Sequence, residues 1–534
     1  MKFDSLHYNY TSRRNVVYGK KGMVATSQPL AAQIGLDVLK KGGNAIDAAI
    51  ATAACLTVVE PTSNGIGGDA FALVWTEGKL HGLNSSGFAP KSISIEKLIE
   101  NGYSEIPRYG LIPVTVPGAP AAWVELSKRF GKLPFKELLE PAILYAKEGY
   151  PISPNVKKQW NKAFELYSSF DGDEFKGWFE TFAPHGRPPE VGEVWKSSGH
   201  AETLKSIADT KGKSFYSGNL ADKIDKFFRK HGGYLRKEDL EAYKAEWVEP
   251  IKVNYKGYDV WEIPPNGQGI VALMALNILK GYDFKSKESV DTYHKQIEAM
   301  KLAFIDGQEY VADIKNMSVR VRDLLSEDYG NRRRKLIKES ALMPKPGQPS
   351  SGGTVYLAAA DGEGNMISYI QSNYTGFGSG VVVPGTGISL QNRGHNFSFD
   401  PNHDNCLAPG KRPYHTIIPG FLTKDNKPVG PFGVMGGFMQ PQGHVQVIMN
   451  TIDFNMNPQD ALDAPRWQWV EGKLIKVEQA FANNIARRLM ERGHNIQPQV
   501  DSMSFGRGQI IWRMDNGVLC GGTEPRTDGS VVAW

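Results

Sequence analysis

Apolar residues recur at helical spacing in the first half of the chain and in short strand-like groups towards its end. After a strand-like segment at Gly22–Thr26, residues 30–41 place apolar side chains one helical turn apart, which predicts an amphipathic helix. The glycines at 42–43 end this helix, and Asn44 is a good cap for the next one. That second helix is rich in alanine and apolar on all sides, so we expect it to be buried.

The middle of the chain, about 120–345, has mostly helical spacing, whereas the chain beyond residue 353 has the texture of a sheet. The predicted helices of the middle part are Ala119–Phe130, Phe135–Glu148, 201–210, 220–231, 271–279 and Val290–Tyr310. Beyond it we predict strands at 355–360, 366–372, 388–392, 430–435 and 508–514, with helices at 445–453 and 458–464. Strand groups with helices on both sides predict a layered α/β/β/α arrangement.

Composition narrows the class of protein. With 41% apolar and 22% charged residues, the chain is typical of soluble globular proteins. The net charge of +5 is spread over 534 residues and gives no nucleic-acid footprint. No apolar run is long enough for a membrane helix, residues 1–8 lack the apolar core of a signal peptide, and three distant cysteines suit a reducing compartment. We therefore expect a cytoplasmic protein without nucleic-acid or membrane partners.

Two other sites are disfavoured by the sequence. The cluster Gly65-Ile-Gly-Gly lacks the Lys-Ser/Thr and the strand-to-helix order of a nucleotide loop. A close approach between backbones is the better interpretation of these glycines. The eleven histidines show no metal-ligand spacing, so we expect no metal.

Thr354 stands where a low-complexity segment, residues 343–353, meets an apolar strand. Proline, glycine and serine predict that this segment is exposed and flexible, and Gly352 and Gly353 permit the strained backbone of an N-to-O acyl shift. Cleavage before Thr354 would free an α-amine with a pKa of about 7.7–8.0, which could deprotonate the neighbouring hydroxyl. An ordinary β-branched strand residue is the alternative interpretation.

Motifs along nearly the whole chain point in the same direction. They are Gly42-Gly-Asn-Ala-Ile-Asp-Ala-Ala, Glu60-Pro-Thr-Ser-Asn-Gly-Ile-Gly-Gly, Val116-Pro-Gly-Ala-Pro, Phe215-Tyr-Ser-Gly, Gly232-Gly-Tyr-Leu with Asp239-Leu, Ile263-Pro-Pro-Asn, Lys411-Arg-Pro, Met435-Gly-Gly and Asp463-Ala-Pro-Arg. In this order the chain resembles the γ-glutamyltransferase family and its cephalosporin-acylase-like relatives. These are N-terminal-nucleophile (Ntn) hydrolases, made as one chain and self-cleaved into two subunits.

The resemblance implies an α+β fold, a four-layer αββα sandwich with an extensive helical large subunit. Residues 1–353 would form the large subunit and residues 354–534 the small one, intertwined in one domain. No cofactor is implied. The expected partners are a small-molecule amide and the two fragments of the precursor, and a homo-oligomer of the paired fragments is left open.

The resemblance also implies catalytic roles. Thr354 would be the nucleophile and the new N-terminus after cleavage of its bond to Gly353. Ser372 falls where the family has a second hydroxyl that assists processing, although a strand-end serine is the alternative. Gly436 and Gly437 occupy the place of the oxyanion-hole pair, whose N–H groups stabilise a tetrahedral intermediate; a simple turn is the alternative.

Departures from the family pattern affect substrate binding. In the family, an arginine in this part of the chain holds the donor α-carboxylate; this chain lacks that arginine and has Ser86 in the corresponding region. Asn396 replaces the acidic residue that holds the α-amine, and Arg393 replaces the glutamine before it. His415 and Thr416 replace a pair of serines, and the stretch between residues 397 and 411 is too short for the lid loop of the bacterial transferases.

A zwitterionic γ-glutamyl end would therefore be poorly held, because it loses both charged partners. Arg393 could pair with a single carboxylate, as in a glutaryl or another ω-carboxyacyl group; a structural salt bridge is the alternative. Tyr374 completes the predicted substrate-binding set. His415 is expected to be a pocket wall or a supporting donor, and a Ser/His/Asp arrangement with Asp400 or Asp404 is the weaker reading because no nucleophile elbow is present.

The leading hypothesis is a self-processing amidohydrolase or acyltransferase of the acylase type, which cleaves a glutaryl- or γ-glutamyl-like amide through an acyl-enzyme. A true γ-glutamyltransferase or glutathione hydrolase is the second hypothesis. An unprocessed, non-enzymatic binding protein is the third.

Overall fold

The computed structural model describes residues 9–10, 14–344 and 353–534. Most of the segment predicted to be flexible, residues 345–352, lies outside the described residues. The same holds for residues 1–8, on which the expectation of no signal peptide depends.

Strands occupy both halves of the chain. They are β1 (Val17–Gly19), β2 (Gly22–Thr26), β3 (Asp69–Thr76), β4 (Lys79–Ser85), β5 (Tyr150–Pro151), β6 (Val194–Trp195), β7 (Glu246–Val248), β8 (Ile251–Tyr255), β9 (Tyr258–Glu262), β10 (Gly353–Asp361), β11 (Met366–Tyr374), β12 (Val382–Val383), β13 (Ile388–Ser389), β14 (Gly420–Lys424), β15 (Lys427–Met435), β16 (Trp467–Glu471), β17 (Leu474–Glu478), β18 (Asn495–Gln499), β19 (Arg507–Arg513), β20 (Leu519–Thr523) and β21 (Ser530–Ala533).

Helices fill the rest of the regular structure. They are α1 (Pro29–Lys40), α2 (Ala45–Val59), α3 (Ile95–Glu100), α4 (Ala119–Phe130), α5 (Phe135–Glu148), α6 (Pro154–Tyr167), α7 (Lys176–Phe182), α8 (Ser198–Thr210), α9 (Lys213–Tyr216), α10 (Asn219–Lys230), α11 (Lys237–Glu241), α12 (Gly269–Leu279), α13 (Val290–Tyr310), α14 (Val321–Leu324), α15 (Glu327–Arg334), α16 (Met439–Ile452), α17 (Pro458–Asp463) and α18 (Asn483–Glu491), with 3₁₀ turns at Asp173–Phe175, Arg393–Asn396 and Ser502–Phe505.

Two antiparallel sheets of seven strands form the centre of the molecule. One sheet has the order β1-β20-β19-β15-β14-β9-β8, and the other has the order β21-β2-β10-β11-β3-β4-β7. Their facing sides bury one apolar layer, which includes Phe71, Tyr356 and Phe421. A second core joins α1, α2, α4 and α5 to the outer side of the β10 sheet, and a third joins α12, α13 and α16 to the outer side of the β15 sheet. The predicted αββα sandwich is confirmed.

Each sheet contains strands from both sides of residue 353. In one sheet, β10 lies between β2 and β11, and β11 pairs with β3. In the other, β14 pairs with β9. A cut at residue 353 would leave two fragments that share both sheets. Among the described helices, none is long and apolar enough to cross a membrane.

Several predicted elements have the observed bounds, namely α4, α5 and α13, and the capping role of Asn44 is confirmed by a capping box at the start of α2. Two predictions need correction. The middle of the chain also contains β7–β9, where buried and solvent-facing residues alternate in β8 and β9 and Lys256 turns the hairpin with a φ of 51°. The strand predicted at 388–392 stops at Ser389; Leu390 makes an isolated bridge to Gly67, and the side chain of Asn392 hydrogen-bonds loop backbone.

Candidate active site

Thr354 lies at an irregularity in the pairing of β10 with β11. Gly353 is opposite Tyr374 and Val355 is opposite Gln371, and the register shifts between these two pairs. A bulge of this kind redirects a side chain at the end of a ladder. The side chain of Thr354 is buried, whereas the end of a strand next to a turn is usually exposed.

The Thr354 hydroxyl is the centre of a small hydrogen-bond cluster. Its Oγ1 donates to Ser372 Oγ at 3.2 Å and accepts from Gln440 Nε2 at 3.4 Å. Ser372 Oγ also accepts from the N–H of Tyr374 at 2.8 Å and from Arg393 Nη2 at 3.2 Å. The hydroxyl of Ser372 therefore connects the threonine to a buried cation.

Gly436 and Gly437 link β15 to α16. Their φ angles of 135° and 59° favour glycine. Gln268 Nε2 donates to the carbonyl oxygen of Gly437 at 2.9 Å and to that of Thr416 at 2.6 Å, so this turn is fixed against the neighbouring segment. The turn lies at the N-terminus of a 14-residue helix, where the helix dipole and free N–H groups favour negative charge.

Arg393 is fully buried at the start of a 3₁₀ turn. Its Nη1 donates to Thr416 Oγ1 at 2.6 Å, and its guanidinium lies 4.5 Å from the centre of the Tyr374 ring. Tyr374 itself has a φ of 80°, a backbone conformation that residues other than glycine rarely adopt. Burial lowers the pKa of Arg393 to about 10, with the charge of Asp69 opposing the shift, so the group is cationic at neutral pH.

His415 pairs with Asp69, and neither Asp400 nor Asp404 is its partner. His415 Nε2 lies 3.0 Å from Asp69 Oδ2, and His415 Nδ1 accepts from the N–H of Ile417 at 3.4 Å, so Nε2 carries the proton that is donated. Asp404 accepts from the N–H of Ser318, and Asp400 accepts from the N–H of Asn402. Burial lowers the pKa of His415 well below its usual range, and His415 is neutral. The Ser/His/Asp reading with those two aspartates is therefore wrong, whereas a supporting donor fits.

Asp69 also collects donors from three other segments. Its Oδ1 accepts from the N–H groups of Gly87 at 3.0 Å and Gly118 at 3.1 Å, and from Gln391 Nε2 at 2.9 Å. Burial raises the pKa of Asp69 to about 7, although Arg393 and these donors act in the opposite direction. The carboxyl group of Asp69 thus links, by hydrogen bonds, the segments that surround the site.

Two predicted substrate-binding residues lie apart from the cluster. Ser86 Oγ donates to Asn84 Oδ1 at 2.7 Å and accepts from Asn266 Nδ2 at 3.2 Å. Asn396 Nδ2 donates to the carbonyl oxygen of Tyr414 at 3.0 Å. Within the described ranges, neither residue hydrogen-bonds Thr354 or Arg393.

Sequence reasoning missed Asp69, Gln268 and Gln440. Asp69 directly follows the glycine cluster, in which a Cβ on Gly68 would lie 2.6 Å from the carbonyl oxygen of Ser372. The predicted close backbone approach is thus confirmed. The position of Asp69 directly beside this approach was the sequence feature that could have identified it as a site residue. Gln440 lies in the first turn of α16, shortly after the paired glycines.

A cavity of about 310 Å³ has a lining that does not include Thr354, Ser372 or Arg393. Its lining includes Thr375 and Gly376, which follow Tyr374, and Arg507, which pairs with Met435 just before Gly436. The cavity therefore approaches the cluster only through residues that are next to it in sequence or strand pairing.

One group of side chains has the composition of a metal site although its sequence spacing is irregular. Ligand atoms of His294, Glu298 and His494 lie within 4.8 Å of one another. Lys301 Nζ already donates to Glu298 at 2.7 Å, and the two imidazoles are joined by a hydrogen bond of 2.8 Å. These contacts account for the group as a buried hydrogen-bond network.

A buried threonine at the start of a central strand, in an αββα sandwich, is the arrangement of an Ntn hydrolase. Residues 31–534 match the gamma-glutamyltranspeptidase family. The chain belongs to this family.

Three similar proteins illustrate its range. The chain is 36% identical over 527 residues to the glutathione hydrolase-like YwrD proenzyme of Bacillus subtilis, with 97% of this chain and 99% of the relative covered. It is 33% identical over 528 residues to the oxamate amidohydrolase proenzyme of Klebsiella pneumoniae, with 96% and 98% covered. The crystal structure of a cephalosporin acylase from Bacillus halodurans superimposes with a TM-score of 0.96 at 66% identity, covering 100% of this chain and 99% of that one. The predicted class, an amidohydrolase or acyltransferase of this family, is confirmed.

Proposed function

We propose that Thr354 is the nucleophile and that the precursor cuts itself between Gly353 and Thr354. The hydroxyl is buried, lies at the bulge of β10 and is held by Ser372 and Gln440, which supports this role. Residues 1–353 and 354–534 would then be the large and small subunits. Both would stay together because each contributes strands to both sheets.

In turnover, Thr354 Oγ1 attacks the carbonyl carbon of a substrate amide, and its own α-amine takes the hydroxyl proton. The same proton passes to the leaving amine as the C–N bond breaks. The N–H groups of Gly436 and Gly437, at the positive end of α16, stabilise the oxyanion. Water, or less readily an amine, then releases the acyl group from the ester.

The acyl group we propose carries a single terminal carboxylate, in the manner of glutaryl. Arg393 is a buried cation two hydrogen bonds away from Thr354, through Ser372. Thr416 and Tyr374 hold it in place, whereas Asn396 is uncharged and its Nδ2 donates to the carbonyl oxygen of Tyr414, so this residue offers no charged partner for an α-amine. The observation that carries the proposal is this one positive charge beside the nucleophile.

The named relatives differ in acyl group, since one is glutathione hydrolase-like, one is an oxamate amidohydrolase and one is a cephalosporin acylase. A true γ-glutamyltransferase is the second candidate, and the relative from Bacillus subtilis favours it. The cytoplasmic location expected from the sequence stays a prediction, as does the state of assembly beyond the paired fragments.

The test compares three p-nitroanilides with acyl groups of similar length: glutaryl, γ-glutamyl and the uncharged valeryl. We expect glutaryl to have the highest kcat/KM, at least about ten-fold above the other two, because only it matches one buried cation. A higher rate with γ-glutamyl would favour the transferase instead. Equal rates with valeryl would show that the carboxylate is not recognised.

A further inference from the structure

Arg393 is fixed close to the proposed nucleophile and has little freedom to move. Its two terminal nitrogens are tied to Thr416 and Ser372, and its plane lies over Tyr374. Thr416 is held in turn by Gln268, which also holds Gly437. A swing of the guanidinium away from the nucleophile would break these bonds inside a fully buried region, which is costly for a charged group.

The guanidinium also has donors to spare. Arginine carries five N–H groups, and the bonds to Thr416 and Ser372 use two. Its Nε is buried without a hydrogen-bond partner among the residues that the structure describes. No carboxylate of those residues lies within ion-pair distance, so a structural salt bridge does not explain this cation. A buried, fixed and incompletely paired guanidinium is a site for a small anion.

The distance between this site and the nucleophile is short. Each of the two hydrogen bonds in series spans 3.2 Å, so Thr354 Oγ1 and Arg393 Nη2 are no more than about 6.4 Å apart. A substrate must bridge this gap with its scissile carbonyl carbon about 3–3.5 Å from the hydroxyl and its carboxylate within about 2.9 Å of the guanidinium.

Bond lengths then discriminate between acyl groups. We take the attacking hydroxyl to lie above the plane of the substrate carbonyl and the acyl chain to be extended. The distance required between Thr354 Oγ1 and the guanidinium nitrogen of Arg393 is then about 6 Å for oxalyl, about 7 Å for malonyl and about 9 Å for glutaryl. Oxalyl fits within this limit, an extended malonyl group slightly exceeds it, and glutaryl has to fold back on itself. Folding a flexible chain costs conformational entropy and lowers the fraction of substrate in a reactive geometry.

We infer that Arg393 acts as a length gauge, so that among acyl groups with one terminal carboxylate the enzyme prefers the shortest, oxalyl, and the preference falls as the chain lengthens. This inference rests on the proposed function, in which Thr354 attacks and Arg393 binds the carboxylate. It makes Arg393 the residue that determines specificity for chain length.

The experiment measures ammonia release by the processed enzyme from oxamate, malonamate, succinamate and glutaramate, with butyramide as the uncharged reference. We expect kcat/KM for oxamate to exceed that for glutaramate by at least about ten-fold, with malonamate between the two. If glutaramate were cleaved as fast or faster, the length gauge would be refuted while carboxylate recognition stood. If butyramide matched the four carboxylates, the proposed function itself would fail.

A variant tests whether Arg393 sets the length. Arg393→Lys shortens the side chain by one bond and keeps the charge, so the preference should shift towards succinamate or glutaramate. The matched control is Arg412→Lys, because Arg412 is also buried but pairs with Glu246. The control should keep the wild-type order of substrates. The ratio between substrates is independent of the fraction of enzyme that has processed itself, and an unchanged order in Arg393→Lys would overturn the assignment.

Discussion

His415 donates its Nε2–H to Asp69 across 3.0 Å, and both side chains are fully buried. The two residues are 346 positions apart and lie on opposite sides of the proposed cleavage point. Asp69 also accepts N–H groups from the segments that begin at Gly87 and Gly118. This carboxyl group therefore links segments from both sides of residue 353 near Thr354.

Removal of the imidazole should destabilise the native state. In His415→Ala, Asp69 Oδ2 loses its donor and Phe71 loses its ring contact, so we expect a loss of about 2–4 kcal/mol in the free energy of unfolding. Urea unfolding in a Thr354→Ala background measures this on a single chain. His403→Ala is the control, since His403 is only half-buried in a surface loop. Equal stability of the two variants would contradict the structural role of His415.

The carboxyl group of Asp69 should give stability a defined pH dependence. Burial raises its pKa to about 7, from an ordinary value of about 3.9. Between these values the native state binds a proton that the unfolded state does not, so this contribution to stability is fully present below about pH 4 and is lost as the pH rises towards 7. The slope is at most about 1.4 kcal/mol per pH unit, and the dependence ends above about pH 7.

Urea unfolding of Thr354→Ala with and without Asp69→Asn, at several pH values between about 4 and 8, isolates this group. The difference in unfolding free energy between the two proteins should fall with rising pH and then become constant. A difference that rises with pH over this window would show that the ionised form is the one favoured by the fold.

Helices could be predicted more exactly than the sheets. The bounds of α4 and α13 follow from apolar spacing within one segment, a local property that the sequence displays directly. The hairpin of β8 and β9 was missed, because its strands are short and lie inside a region of helical spacing. Their stability comes from pairing with β14, which is more than a hundred residues away in the chain.

The residues of the site were likewise predictable only in part from the sequence. Thr354, Ser372, Arg393 and Thr416 were expected from motifs, and they are the side chains that the fold brings into contact. Asp69 as the partner of His415 could not be expected, since nothing near either residue in the sequence specifies the other. Asp400 and Asp404 are closer to His415 in the sequence, but they accept hydrogen bonds from Asn402 and Ser318 instead.

Thr354 itself gives the most direct test of self-processing. Thr354→Ala removes the attacking oxygen, so we expect a single inactive band of 59.0 kDa on a denaturing gel. Thr354→Ser keeps an oxygen at the same place and should still yield two fragments, more slowly. Cleavage of the Ala variant at this bond would mean that another group cuts the chain.

Ser372 should affect both processing and turnover. Its hydroxyl accepts from Thr354, Tyr374 and Arg393, and Ser372→Ala leaves these donors without this acceptor. We expect kcat to fall between about 10- and 100-fold through misplacement of the nucleophile. Ser368→Ala, on the same strand but bonded to Tyr356, is the control and should stay near the wild-type rate. Similar losses in both variants would point to a general effect on β11.

Gln440 offers a way to separate positioning of the nucleophile from recognition of the acyl group. Its Nε2 donates to Thr354 Oγ1 at 3.4 Å and its Oε1 accepts from the N–H of Ile418 at 3.0 Å, while it has no contact with Arg393 among the described residues. Gln440→Met should therefore lower kcat/KM by about ten-fold for every amide alike. The control is Gln442→Met on the same helix, where the amide bonds backbone away from Thr354.

The order of preference among oxamate, malonamate, succinamate and glutaramate should be unchanged in Gln440→Met. A uniform loss is expected because this amide orients the attacking oxygen, which all substrates share. If Gln440→Met altered the preference for chain length, the acyl group would have to contact Gln440, and the assignment of the acyl pocket to Arg393 alone would be wrong.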